Sequence, residues 1–154
     1  IILPQEFTWQ GYEDRLSGWR DAHFEKNISI RPSLRCKPDK NKKFSSESDI
    51  GYEAVTKLIN KKIKFDAIFA MNDMLAMGCY QAAKEKKLEI PKHFSIIGFD
   101  NSVTAFNLRP TLSSIQLPIA EMTAKAIQHI FDDKNYNENY KVYVECKLVE
   151  RNSI

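Results

Sequence analysis

The sequence predicts an α/β fold, a mostly parallel sheet flanked by helices. Two short apolar runs, residues 67–70 and 95–99, end in polar residues: Asn72-Asp73 follows the first and Asp100-Asn101 the second. The segment between them has helical spacing, so FDAIFAMNDMLAMGCYQAAKEKKLEIPKHFSIIGFDN reads as one β-α-β unit. Strands and helices alternate along the rest of the chain, which argues for parallel strands with helices on both faces. In such a sheet the carboxyl ends of the strands open onto the crevice where ligands bind, and both polar pairs fall there.

The chain has 154 residues, enough for one domain with its own core or for a large part of a bigger one. Hydrophobic residues make up 43% and charged residues 28%, as in ordinary soluble globular proteins. No apolar run approaches the ~18 residues of a membrane span. The net charge of +3 comes from 23 basic and 20 acidic residues that are interleaved, whereas nucleic-acid modules gather theirs on one face. The densest basic stretch, KPDKNKK at 37–43, reads as a solvated loop. Cys36, Cys79 and Cys146 lack CxxC spacing and a nearby histidine. They suit reduced thiols of a cytosolic protein better than a zinc site or a disulfide framework. Ile1-Ile2-Leu3 resembles the tail of a strand, so the chain is expected to be a fragment of a longer protein, and a missing signal peptide carries no weight.

Taken in order, Tyr12, Leu16, Trp19 and Phe24 roughly follow a helical stripe, which predicts a helix over 11–26. ISIRPSLR at 28–35 alternates and is interrupted by Pro32, as an edge strand would be. Residues 37–49 lack periodicity and read as a loop. Ser48 or Asp49 can cap a helix running to about 61, with Ala54, Val55, Leu58 and Ile59 inward. Residues 65–70 form a buried strand without alternation. Asn72 or Asp73 caps a helix to about 87, with Ala76, Met77, Tyr80 and Ala83 inward. A strand at 95–99, a loop at 101–110 and a strand at 112–117 follow. Pro118 then opens a helix to about 131. A polar turn leads to a last strand, where Val142, Val144, Cys146 and Leu148 alternate with polar neighbours.

Five pieces, DRLSGW at 14–19, IFAMNDMLAMG at 68–78, IPKHFSIIGFDN at 90–101, RPTLSSIQLP at 109–118 and LVERNSI at 148–154, resemble in order and spacing the effector-binding domain of LacI/GalR-type transcription regulators. The resemblance implies a periplasmic-binding-protein-like architecture of two α/β lobes, a cleft between them and a hinge of crossing strands. This chain would be its carboxyl-terminal part. Residues 1–111 and 142–150 would form the second lobe, and 112–141 would pass back toward the first. The helix-turn-helix and most of the first lobe would lie outside the chain. The apolar face of the helix at 119–131 then lacks its family partner, so a second copy covers it or it packs differently.

Arg15, in the opening turns of a helix, offers a fork that matches paired ligand oxygens; the alternative is a surface pair with Glu13 or Asp14. Asp100, after a strand, can accept bonds from two adjacent ligand hydroxyls or amines, or can simply shape a turn. Asn72 has both donor and acceptor, suited to a polyol, or caps the helix that follows. The resemblance implies an aromatic stacking partner before the second helix. Phe44 reaches that place only with a two-residue insertion, an ungapped alignment puts Ser46 there, and Trp9 is another platform. Both aromatics also fit ordinary packing. Met77 and Leu108 match the family's dimer contacts, and a helical Met equally suits a core.

The resemblance thus implies effector sensing and dimerisation within a bacterial DNA-binding regulator. Its effector would be a sugar or related metabolite, and it would need neither cofactor nor membrane. Operator DNA would be contacted only through the helix-turn-helix. An extracytoplasmic sugar-binding protein of a transport system is the second reading; LVERNSI and the free cysteines argue against it. An enzyme would need a nucleophile–base pair, a metal cluster or a phosphate-cradling loop. His23, His93 and His129 are scattered, and Ser113-Ser114 has no elbow glycines.

Overall fold

A computed structural model describes residues 1–4, 10–39, 41–131 and 141–154. Its centre is a four-stranded sheet in the order β1-β2-β3-β4. The strands are β1 (Ala67–Phe69), β2 (Ser95–Asp100), β3 (Ser113–Gln116) and β4 (Lys147–Val149). β1, β2 and β3 are parallel, and β4 is antiparallel to β3. Ile2 continues the parallel arrangement beyond β1, bridging Ala70 on one side and Cys36 on the other.

The helices are α1 (Gln10–Glu25), α2 (Glu47–Asn60), α3 (Asp73–Glu85), α4 (Val103–Asn107) and α5 (Ile119–Phe131). α2 and α3 pack so closely that each needs a glycine. A Cβ on Gly51 would collide with the Leu75 carbonyl, and one on Gly78 with the Ser48 carbonyl. α3 buries Leu75, Ala76, Cys79, Tyr80, Ala82 and Ala83, and joins Ile68, Ile96 and Leu112 of the sheet region in one core.

Several elements differ from expectation. Residues 28–35 form no strand. Pro32 starts a 3₁₀ turn, Pro32–Leu34, in which the Arg35 N–H donates to the Pro32 carbonyl. Only Cys36 reaches the sheet, because the turn consumes the backbone groups a ladder needs. Phe24 is 85% exposed, so the inward stripe of α1 stops short of it. Ser46 caps α2 in place of Ser48 or Asp49. Its Oγ accepts from the Asp49 N–H, and Asp49 accepts in return from the Ser46 N–H. The loop at 101–110 contains α4.

The last strand is three residues long and leaves Leu148 exposed, where a longer one with an apolar face was expected. Lys147 pairs with Gln116, the end of β3. Residues before 147 would have to pair with Leu117 and Pro118, where the chain turns into α5. α5 itself has no buried residue and exposes Ile119, Ile127, Ile130 and Phe131. Downstream of β4, Ser153 stitches the sheet together. Its Oγ accepts from the Ser113 N–H at 2.8 Å and donates to the Ile96 carbonyl at 2.6 Å.

Candidate functional site

The carboxyl edge of β1 and β2 carries a cluster of polar side chains, each delivered by a different element. β1 leads into Asn72, the N-cap of α3. Its Oδ1 accepts from the Leu75 N–H at 2.8 Å, which settles the cap in favour of Asn72 over Asp73. Capping occupies the carbonyl only. The Nδ2 amide donates to Glu47 Oε2 at 2.7 Å and to the Tyr12 hydroxyl at 3.4 Å. Glu47 stands at the first position of α2, where the helix dipole favours a carboxylate.

Arg15 lies one turn after Tyr12 on α1, and its side chain is only 7% exposed. Its Nη1 donates to the Met71 carbonyl at 2.5 Å, and its Nη2 reaches Asp100 Oδ1 at 3.4 Å. The guanidinium lies 3.7 Å from the centre of the Phe99 ring and 5.2 Å from that of Tyr12. Stacking on Phe99 and bonding to a fixed carbonyl remove most of the rotamer freedom of a long side chain.

Asp100 and Asn101 have φ of 101° and 50°, a left-handed pair that ends β2 and turns the Asp100 carboxylate outward, 40% exposed. A buried network holds this turn. The Asn101 N–H donates to Ser114 Oγ at 3.0 Å, and Ser114 Oγ donates to Asp73 Oδ1 at 2.6 Å. Asp73 Oδ2 accepts from the Ser102 N–H and hydroxyl at 2.7 and 2.9 Å. On the other flank, Arg151 donates to Asn101 Oδ1 and to the Leu112 carbonyl, both at 2.6 Å. Burial pushes the Asp100 carboxyl up to about 6; Arg15 works against this, while Asp73 and Glu47 add to it. Burial lowers Arg15 from its ordinary value, opposed chiefly by Asp100.

Three of the sequence-derived candidates, Arg15, Asn72 and Asp100, therefore meet at one rim. Sequence reasoning missed Tyr12, Glu47 and Phe99. Tyr12 was legible, since three residues before Arg15 is the same helical face. Phe44 stands elsewhere, half-buried against the core, with Lys42 5.0 Å from its ring centre, lining a cavity with Cys36 and Ile50. Trp9 lies outside the described residues. Met77 and Leu108 are half-buried in one open depression between α3 and the segment after α4. Met74, Val103 and Phe106 are exposed nearby on α3 and α4. Among the described residues no group of His, Cys, Asp and Glu could hold a metal ion, and no helix is long and apolar enough to cross a membrane.

A mostly parallel α/β sheet with an open polar rim at its strand ends is the architecture of a periplasmic-binding-protein-like lobe. The model of the periplasmic binding protein-like domain matches residues 2–154. The chain is 33% identical over 148 residues to the ribose operon repressor of Haemophilus influenzae, covering 92% of this chain and 42% of that protein. It is 32% identical over 155 residues to the transcriptional repressor PurR of Klebsiella pneumoniae, covering 99% and 44%. A sugar-binding transcriptional regulator of the LacI family from Escherichia coli superposes with a TM-score of 0.81 at 27% identity, over 98% of this chain and 52% of that one. The chain belongs to the periplasmic binding protein-like domain family, and the similar proteins named here are transcription regulators. It spans less than half the length of these two curated relatives.

Proposed function

We propose that this chain is the effector-sensing and dimerisation part of a bacterial LacI-type regulator, and that its polar rim grips a sugar or related metabolite. The observation that carries this is the convergence of Arg15, Asn72 and Asp100 on one edge of the sheet. Arg15 supplies fixed N–H donors, Asp100 an outward acceptor, and Asn72 an amide whose bond to Glu47 can be exchanged for one to a ligand hydroxyl. Phe44 stands away from the rim, so Trp9 is left as the candidate stacking partner. The sugar in the names of two similar proteins, a ribose operon repressor and a sugar-binding regulator, supports the ligand class.

The lobe binds effector together with a first lobe, to which residues 112–141 pass. Effector acts by binding one lobe arrangement better than the other. The depression between α3 and the segment after α4, where Met77 and Leu108 lie, forms a homodimer contact. Operator DNA is met by a helix-turn-helix of the longer protein, in the cytoplasm. Relatives that are transcription regulators favour this reading over a transport protein.

Calorimetry on the longer protein with a panel of sugars and nucleobases tests it. Arg15→Ala and Asp100→Ala are each expected to weaken the best ligand by at least about tenfold, as loss of a hydrogen bond to a charged group does. Unchanged affinity in both variants removes the rim from the site.

A further inference from the structure

The 3₁₀ turn at Pro32–Leu34 and the outer side of α2 enclose a cavity of about 300 Å³, away from the Arg15 rim. That volume is at the small end of pockets that hold metabolites. Its apolar part comes from Phe44, Ile50, Leu58 and Ile63. Its polar part is cationic. Arg35 enters from the turn, Lys37 follows it, and Lys57 on α2 stands one helical turn before Lys61, the residue that caps the end of α2. Among the described residues the one acid that lines it, Glu53, is already paired with Lys42. Arg35 also has an unmet need: its Nε is buried and has no hydrogen-bond acceptor among the described residues. A charged donor gives up much of its hydration when it is left in that state. One water could meet that N–H but would leave the surrounding positive charge uncompensated.

We propose that this cavity is a second ligand site, for a small organic phosphate monoester with an apolar body. A dianion suits four cationic side chains better than a monoanion does. The Nε edge of a guanidinium offers the paired donors that a phosphate accepts. The apolar wall excludes a preference for inorganic phosphate. The site stands apart from the effector rim, since Arg15, Asn72 and Asp100 are not among the residues that line it.

Titration of the full chain with phenyl phosphate, followed by heteronuclear NMR, tests this. Saturable shifts are expected at Arg35 Nε–H and along residues 53–61. Lys57→Gln, an exposed change on α2, is expected to weaken binding at least fivefold, and Arg35→Gln at least tenfold. Phe44→Ala should weaken phenyl phosphate without affecting the weaker binding of inorganic phosphate. Arg15→Ala should leave all of it unchanged. No saturation by about 10 mM, tenfold above a millimolar Kd, overturns the proposal. So does equal affinity in wild type and both charge variants, or loss of binding in Arg15→Ala alone.

Discussion

Replacing Ser114 by alanine tests whether the buried network behind Asp100 holds the rim in place. Ser114 is fully buried and joins two groups, accepting from the Asn101 N–H and donating to Asp73 Oδ1. Without its hydroxyl, both partners stay buried with one bond missing. Asp73 is only 1% exposed, so water does not easily replace the donor. Each stranded group costs about 1–3 kcal/mol, giving about 2–4 kcal/mol for the pair if some relaxation occurs. In a chain of this size about 1 kcal/mol moves the midpoint by roughly 2–4 °C, so differential scanning calorimetry should show a fall of at least about 4 °C. Ser102→Ala is the internal control. It removes one hydroxyl bond to Asp73 but keeps the backbone N–H bond to the same oxygen. Its cost should be about 1 kcal/mol. Effector affinity of the longer protein should fall in Ser114→Ala as well, since the left-handed turn at Asp100-Asn101 loses its anchor. A midpoint within about 1 °C of wild type for Ser114→Ala, or the same loss as Ser102→Ala, would refute the reasoning.

Three further outcomes follow from the rim and from the α2–α3 crossing. Asp100 has its carboxyl raised from 3.8 to about 6, so the folded state holds the proton more tightly than the unfolded chain. Its contribution to stability is complete below pH 4 and is lost as pH rises through about 6, and Asp100→Asn should flatten urea midpoints across that window. Because the ionised form is the better acceptor, effector affinity should rise between pH 5 and 7 in wild type but not in Asp100→Asn. Gly78→Ala drives a methyl into the Ser48 carbonyl and should cost about 1–3 kcal/mol in chemical denaturation, whereas Gly18→Ala on α1 meets nothing within 4 Å and should stabilise by about 0.5–1 kcal/mol. Equal effects at the two glycines would contradict the close α2–α3 crossing.

The β-α-β unit was readable because its cues are local and agree. Apolar runs give β1 and β2, helical spacing gives α3, and polar residues mark the strand ends. Those ends located Asn72 and Asp100, while Arg15 came from the opening turns of the first helix. What was not readable depends on partners distant in sequence. The alternation at 28–35 promised a strand, but Pro32 spends the backbone on a turn. The alternation at 142–148 promised a longer strand than β3, ending at Gln116, can accept. Glu47 joins the site through Asn72, 25 residues away, and no local pattern announces that pairing. Ser114 and Asp73 looked like a strand serine and a spare cap. Their role appears only once β3 lies beside β2.

Ser153 gives the lobe an order of assembly in time. The Ser113 backbone it satisfies emerges 40 residues earlier, which at about 5–20 residues per second is roughly 2–8 s before its partner exists. Through that interval the nascent protein carries a half-made sheet edge together with the greasy α5, already synthesised and uncovered. A ribosome-bound chaperone that shields such a segment would find its window here, and slowing translation after Gln116 should lengthen it.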